Sequence, residues 1–158
     1  MRITGQNTII RSMFLLFYIR KDIDMNSVWN EKYTDEGKDY KIQKKFPSGQ
    51  TVKLELEGET CNRTTYFNVY LTTAHKRKRI DDTFMQRNGK DGIKPLLWAK
   101  QELLNVEEMI KQDFPNKKNI IYVCWDDNKR RDAYIRGLSN VGYKVGNILG
   151  FKCLYKII

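Results

Sequence analysis

The chain has 158 residues, of which 41% are hydrophobic and 30% are charged, so its length and composition suit one folded domain and exclude wholesale disorder. Its formal net charge is +10, and the positive charge is concentrated in residues 76–94 and 117–158, which favours an anionic partner. The three cysteines include no CxxC pair and His75 is the single histidine, so we predict neither a disulfide framework nor a metal cofactor, and we expect a cytoplasmic location.

The N-terminal segment contains the apolar run Ser12–Ile19, which is far shorter than the roughly 20 residues that a membrane-spanning helix needs. Basic residues precede the run, as in a signal peptide, but charged residues follow it, where small residues should mark a cleavage site. We therefore predict neither secretion nor a membrane partner. A break in composition before Met25 predicts residues 1–24 to be an N-terminal extension, to which the sequence assigns no role, and residues 25–158 to be a single domain.

Three successive segments have the alternating hydrophobic pattern of half-buried strands. The first begins at Tyr40, and the next two are Thr51–Glu57 and Tyr66–Ala74. The turn-forming stretch Pro47–Gln50 separates the first two, and a second predicted turn, Gly58–Thr65, separates the last two. The sequence therefore predicts an antiparallel meander.

After the meander, the hydrophobic period changes to that of a helix. Residues 93–110 carry apolar side chains three and four positions apart, as one buried helix face requires. Asp91 or Gly92 is expected to cap this helix, and Pro95 fits its first turn, where a missing N–H costs nothing.

The last part of the chain predicts a second helix between strands. Ile120–Trp125 is a short continuous apolar run, as a strand buried on both faces requires. A helix is predicted from Lys129 to Val141, ended by Gly142. Residues 143–158 are predicted to form one or two strands. The predicted fold class is thus α/β (α+β), with a mixed, mostly antiparallel sheet in which a meander is followed by helix, strand, helix and strand.

The loop before the first helix has the features of an anion site. A helix N-terminus presents unpaired backbone N–H groups and partial positive charge. Gly89 and Gly92 allow the backbone to approach a bulky anion closely, and Arg87, Lys90 and Lys94 add formal charge. Phosphate or pyrophosphate is therefore a natural ligand. A structural turn explains the two glycines equally well.

The order of the elements and two local motifs resemble the GNAT superfamily of acyl-CoA-dependent N-acetyltransferases. The stretch QRNGKDG is similar to the family's Q/R-x-x-G-x-G/A pyrophosphate loop, and RRDAYIRGLSNVGYKV is similar to its segment before the last strands. The resemblance covers roughly Tyr40 to Ile158. It implies a GNAT-like fold, acetyl-CoA as the cofactor and acyl transfer to an amine that the sequence does not identify.

The resemblance also implies where the cofactor binds. The pantetheine would lie between Tyr66–Ala74 and Ile120–Trp125, which the family holds apart. The residues implied to bind the pyrophosphate are Gln86, Arg87, Asn88, Gly89, Lys90, Asp91 and Gly92.

Two positions depart from the family pattern. Asp91 stands where the family prefers Gly or Ala, and its carboxylate would repel a pyrophosphate unless it caps the helix or Lys90 offsets its charge. Leu138 stands where the family often has a general-acid tyrosine, so Tyr134 or Ser139 would have to protonate the leaving thiolate. His75 is the candidate base, because the pKa of a histidine is naturally near neutrality. A solvated histidine beside cationic neighbours explains it as well.

A second hypothesis comes from the dense basic run His75–Arg79, which suits phosphates of either CoA or a polynucleotide. The chain would then be a non-catalytic basic module of the same fold that binds nucleic acid or an acidic protein partner through this run and the C-terminal third. Asp91 and Leu138 favour this hypothesis. Aromatic residues on the predicted strands offer surfaces for base stacking, although strand aromatics more often pack against one another. Those residues are Tyr66, Phe67, Tyr70, Tyr122 and Trp125.

Overall fold

The computed structural model describes residues 28–74 and 91–158, which form seven strands, two α-helices and one short 3-10 helix. The predicted N-terminal extension, residues 1–24, lies outside them. In chain order the elements are β1 (Asn30–Tyr33), β2 (Lys38–Lys45), β3 (Thr51–Cys61), β4 (Thr64–Ala74), α1 (Lys94–Asp113), β5 (Lys118–Cys124), α2 (Asn128–Leu138), the 3-10 helix (Ser139–Val141), β6 (Lys144–Ile148) and β7 (Phe151–Ile157).

The seven strands form one sheet in the order β1-β2-β3-β4-β5-β7-β6. Every neighbouring pair is antiparallel except β4 and β5, which run parallel where Thr64–Asn68 lies beside Lys118–Tyr122. The predicted α+β class and the mostly antiparallel sheet are confirmed. The predicted strand Ile120–Trp125 lies in the sheet, although β5 ends one residue earlier, at Cys124.

The meander has a strand and a turn that differ from the prediction. All four residues of β1 are exposed, so this strand carries no hydrophobic alternation that could reveal it. The predicted turn Gly58–Thr65 is present but shorter, at Asn62 and Arg63, because β3 and β4 stay paired as far as Cys61 and Thr64. Gly58 lies inside β3, where a Cβ would sit 2.7 Å from the ring of Phe67. This glycine therefore serves close packing rather than a turn.

The helices begin and end at recognisable residues. Pro95 occupies the first turn of α1, as predicted, but the N-cap is Ile93, which makes no side-chain capping bond, so the expected cap at Asp91 or Gly92 is wrong. The Asp127 carboxylate caps α2 by accepting a hydrogen bond from the Arg130 N–H at 2.9 Å. The 3-10 helix then extends α2 to Gly142, whose φ of 96° ends the segment.

The chain ends in a hairpin rather than a single strand. Leu149 and Gly150, with φ of 50° and 84°, form the two-residue turn between β6 and β7. Positive φ at both positions is the conformation that matches the twist of the flanking strands. Because β7 pairs with β5, the return strand lies inside the sheet and β6 forms its edge.

The two faces of the sheet have different surroundings. On one face, buried side chains of β3, β4 and β5, such as Leu54, Phe67 and Ile121, form a core with the buried side of α1. We call this the helix face. Alternate residues of the same strands point to the opposite face, where β3 presents charged side chains and β4 and β5 present tyrosines.

Candidate functional site

An apolar cavity of about 560 Å³ lies on the helix face. The N-terminal half of α1 and the C-terminal part of α2 form one side, and strands β3, β4 and β5 form the other. Aliphatic residues dominate its wall. They include Leu54, Val69, Leu71, Leu96, Leu103 and Val123.

The cavity exists because β4 and β5 diverge. Their ladder ends at the pair Asn68–Tyr122. From there β4 continues beside β3 as far as Ala74, while β5 continues beside β7 as far as Cys124. Val69 and Val123 immediately follow the last pair and both line the cavity. The gap between the strands is therefore part of the cavity.

The N-terminus of α1 lies at the mouth of the apolar cavity. Gly92, with φ of 58°, and the half-exposed Ile93 and Leu97 belong to the lining. Because no side chain caps this helix, its partial positive charge is not offset by a capping carboxylate. Lys100 and Arg136 also line the cavity, so the described part of its wall includes two cations and no carboxylate.

Asp91 precedes Gly92 but is not among the residues that line the cavity. Asp91 is 8% exposed, and its carboxylate accepts hydrogen bonds from the Ser48 backbone N–H at 3.3 Å and from the Ser48 hydroxyl. These bonds connect the start of α1 to the turn between β2 and β3. The carboxylate at this position therefore has hydrogen-bond partners within the fold.

Only part of the site predicted from the sequence falls within the described residues. Of the expected pyrophosphate loop, Asp91 and Gly92 are described, and Gly92 lines the apolar cavity. The candidate base His75 and the rest of the basic run His75–Arg79 lie outside the described residues. So do the remaining loop residues, Gln86, Arg87, Asn88, Gly89 and Lys90.

Of the two candidate acids, Tyr134 lies in the wall of the apolar cavity and Ser139 is not among its lining residues. Burial, with a smaller contribution from Asp126 and Asp127, raises the pKa of Tyr134, so its phenol keeps its proton at neutral pH. The Ser139 hydroxyl donates to the Ile135 carbonyl at 2.6 Å. The structure thus brings Tyr134 and Gly92 to one cavity and leaves Ser139 outside it.

A second cavity, of about 480 Å³, lies on the opposite face and was not anticipated from the sequence. Five carboxylates line it, and we call it the acidic cavity. They belong to Asp35, Glu36, Asp39, Glu57 and Glu59.

Three tyrosines, Tyr66, Tyr70 and Tyr122, share the lining of the acidic cavity with these carboxylates. Burial, followed by the charge of Glu57, raises the pKa of Tyr70. Burial raises the pKa of Tyr122 to about 12. The alternating pattern along β3 and β4 predicts that their carboxylates and tyrosines share one face of the sheet. It does not predict that the residues from the β1–β2 turn, β2 and β5 join them in one cavity.

Three further findings concern the nature of the site. Neither α1 nor α2 is long and apolar enough to cross a bilayer. Within the described ranges, no three histidine, cysteine or carboxylate side chains are grouped so that they could hold a metal ion. No protein-family model, curated protein sequence or solved structure matches this chain.

Proposed function

We propose that the protein is an N-acyltransferase that moves an acyl group, acetyl in the simplest case, from a coenzyme A thioester to an amine. The observation that carries this proposal is the apolar cavity at the divergence of β4 and β5, with the uncapped N-terminus of α1 at its mouth. The resemblance to the GNAT superfamily implies the same combination, with the pantetheine between these two strands and the pyrophosphate at the helix N-terminus.

The described lining fits such a cofactor. Its aliphatic wall suits the acyl group and the alkyl parts of the pantetheine arm. Lys100 and Arg136 add positive charge to the wall of the same cavity, and phosphate groups are favoured at a helix N-terminus. The Asp91 carboxylate is held by hydrogen bonds from Ser48, and Asp91 is not among the residues that line the cavity.

Tyr134 is the residue that we assign to the proton transfer. Acyl transfer forms a bond between the amine nitrogen and the carbonyl carbon and breaks the bond between that carbon and sulfur. The leaving thiolate then needs a proton. Tyr134 lies in the cavity wall with its phenol protonated at neutral pH, whereas the Ser139 hydroxyl is engaged by Ile135. His75 remains the proposed base.

The test uses Gly137, which lies in α2 at the edge of the apolar cavity and where a Cβ would meet nothing within 4 Å. Gly137→Leu should place a bulky side chain at the cavity edge and, because glycine is a poor helix former, should not lower stability. We expect it to weaken acetyl-CoA binding about tenfold or more, equivalent to about 1.4 kcal/mol. Gly137→Ala is the matched control, because it gives the same increase in helix propensity but adds only a methyl group at the cavity.

The measurement is the thermal midpoint with acetyl-CoA, supported by calorimetric titration, since a ligand that binds only the folded state raises the midpoint. The wild type and Gly137→Ala should respond, and Gly137→Leu should respond less. A wild-type midpoint that acetyl-CoA leaves unchanged contradicts the proposal. If a single-stranded oligonucleotide raises the midpoint instead, with an effect that falls as salt rises, the basic-module hypothesis is favoured.

A further inference from the structure

Two of the three cysteines lie opposite each other in the sheet. Cys124 is the last residue of β5, and it pairs directly with Cys153 of β7. Residues that are opposite each other in a ladder have their side chains on the same face, so the two sulfurs are neighbours. Both cysteines are free thiols in the structure. No local spacing in the sequence indicates this pair, because only the register of β5 and β7 produces it.

The register also determines which kind of pair they form. In an antiparallel ladder, pairs that exchange backbone hydrogen bonds alternate with pairs that exchange none, and the second kind brings the side chains closer together. The Ile158 N–H donates to the Asn119 carbonyl at 2.9 Å, in the same register as the β5–β7 ladder. That pair is therefore of the first kind. Alternation along the ladder then makes Cys124–Cys153 a pair of the second kind.

The geometry of such a pair suits a disulfide. Its Cα atoms are about 4.5 Å apart, and disulfides join cysteines whose Cα atoms are roughly 4.4–6.8 Å apart. Because both side chains are on one face, rotation about their side-chain torsions can bring the sulfurs together without a change of register. Cys61, the third cysteine, is exposed and lies opposite Thr64 at the end of the β3–β4 ladder.

The two thiols differ in their access to solvent. Cys153 is 0% exposed, and its thiol contacts the Gly146 carbonyl on β6 at 3.8 Å. The Tyr155 ring covers that side, since a Cβ on Gly146 would lie 2.5 Å from it. Cys124 is partly exposed. An oxidant can therefore reach Cys124 from solvent, and Cys153 can then react with the neighbouring sulfur.

We propose that Cys124 and Cys153 form a redox modification site, at which a hydroperoxide converts the two thiols into a reversible disulfide between β5 and β7. The inference is independent of the proposed acyltransferase function. The bond closes a loop that contains α2 and β6. Val123, which lines the apolar cavity, directly precedes Cys124. Oxidation therefore fixes the end of β5 at the border of this cavity.

The reaction balances with the hydroperoxide as the only co-reactant. With hydrogen peroxide, the Cys124 sulfur attacks one oxygen, the O–O bond breaks, and the products are a sulfenic acid and one water. The Cys153 sulfur then attacks the Cys124 sulfur, the S–O bond breaks, and a second water leaves. The two thiols together lose two electrons and two protons, and the peroxide is reduced to water. A dithiol reverses the modification by thiol–disulfide exchange.

Both thiols are expected to react slowly at neutral pH. Burial, followed by the charge of Asp126, raises the pKa of the Cys124 thiol. Burial, followed by Cys124, raises the pKa of the Cys153 thiol to about 11. Because the thiolate is the nucleophile, the site should stay reduced with a trace of oxidant and should oxidise when peroxide is in excess.

The experiment treats the folded full chain carrying Cys61→Ser with excess hydrogen peroxide, so that the exposed third thiol cannot interfere. Cleavage by trypsin places Cys124 in peptide 119–129 and Cys153 in peptide 153–156. Mass spectrometry without reductant should detect these peptides linked, and dithiothreitol should separate them. The thermal midpoint should rise by about 5 °C or more on oxidation and return on reduction, because the closed loop restricts the unfolded chain.

Two further substitutions in the Cys61→Ser protein are the matched controls. Cys124→Ser should form no linked peptides and should keep the same midpoint with and without peroxide. Cys153→Ala should stop at the sulfenic acid of Cys124, which dimedone traps. The linked peptides are measured in the Cys61→Ser protein, so that result does not depend on how well the controls fold.

Four outcomes overturn the proposal. They are the absence of linked peptides, their formation only after unfolding in urea, disulfides between chains instead of within one, and oxidation that ends in sulfinic or sulfonic acid at Cys124. Linked peptides that form without any rise in the midpoint would contradict the stabilising bond between β5 and β7.

Discussion

The apolar and acidic cavities share β3, β4 and β5, yet their walls have opposite chemistry. On the helix face the wall is aliphatic, and its two described cations lie on the helices. On the opposite face the wall consists of carboxylates, tyrosines and small polar residues. The difference arises from the two-residue period of a strand, which assigns Val69 and Val123 to one face and Asn68 and Tyr122 to the other. One pair of diverging strands therefore borders two cavities of opposite chemistry.

A buried carboxylate and two exposed carboxylates differ in their pairing within the chain. Glu107 of α1 is 2% exposed and accepts hydrogen bonds from the Tyr143 hydroxyl at 2.9 Å and from Lys156 at 2.5 Å. Glu57 and Glu59 are exposed and have no such cationic partner among the described residues. The buried carboxylate is paired within the chain, whereas the two exposed carboxylates are accessible to solvent.

The largest expected effect tests the asymmetry of the faces directly. Val69→Glu would introduce an unpaired charge at a position that is 8% exposed in the apolar wall, and we expect it to lower the free energy of unfolding by about 4 kcal/mol. Asn68→Glu, one residue earlier and on the acidic face, would place a like charge opposite Glu57 in a solvent-accessible position and should lower that free energy by only about 1 kcal/mol. Urea unfolding of both variants measures the difference, and equal destabilisation would mean that the two faces are not distinct environments.

A somewhat smaller effect sharpens the contrast between paired and unpaired carboxylates. Glu107→Ala would leave Lys156 and Tyr143 without their shared acceptor, and should lower the free energy of unfolding by about 3 kcal/mol. Glu57→Ala, the control, should lower it by no more than about 0.5 kcal/mol, because no cation within the described part of the chain loses a partner. Urea unfolding of the two variants measures this difference. A large loss of stability with Glu57→Ala would show that Glu57 also has a partner that stabilises the fold.

The sequence predicted the features that depend on local periodicity. The period of α1, the alternation of β3 and β4 and the apolar run of β5 were each sufficient to place those elements in the fold. The exposed strand β1 lacked such a pattern, and Gly58 resembled a turn residue because its contact with Phe67 arises only when β3 and β4 pair.

The candidate site was less predictable because it depends on contacts between distant segments. The bonds between Asp91 and Ser48 join residues 43 positions apart, and no local pattern indicates them. The acidic cavity likewise requires the turn before β2 to meet strands β3, β4 and β5. Tyr134 could be placed in the cavity wall because helical spacing sets it one turn before Leu138, which shares that wall.

The smallest expected change in stability concerns Tyr122. Here the direction of the change, rather than its size, tests whether the hydroxyl has a partner. Tyr122→Phe would remove a hydroxyl that has no partner among the described residues, so the free energy of unfolding without ligand should stay the same or rise by up to about 1 kcal/mol. Tyr155→Phe is the control, because Tyr155 is opposite Tyr122 on β7 but is not among the residues that line the acidic cavity. Urea unfolding of both variants measures this free energy. A loss of stability in Tyr122→Phe would show that the hydroxyl has an internal partner.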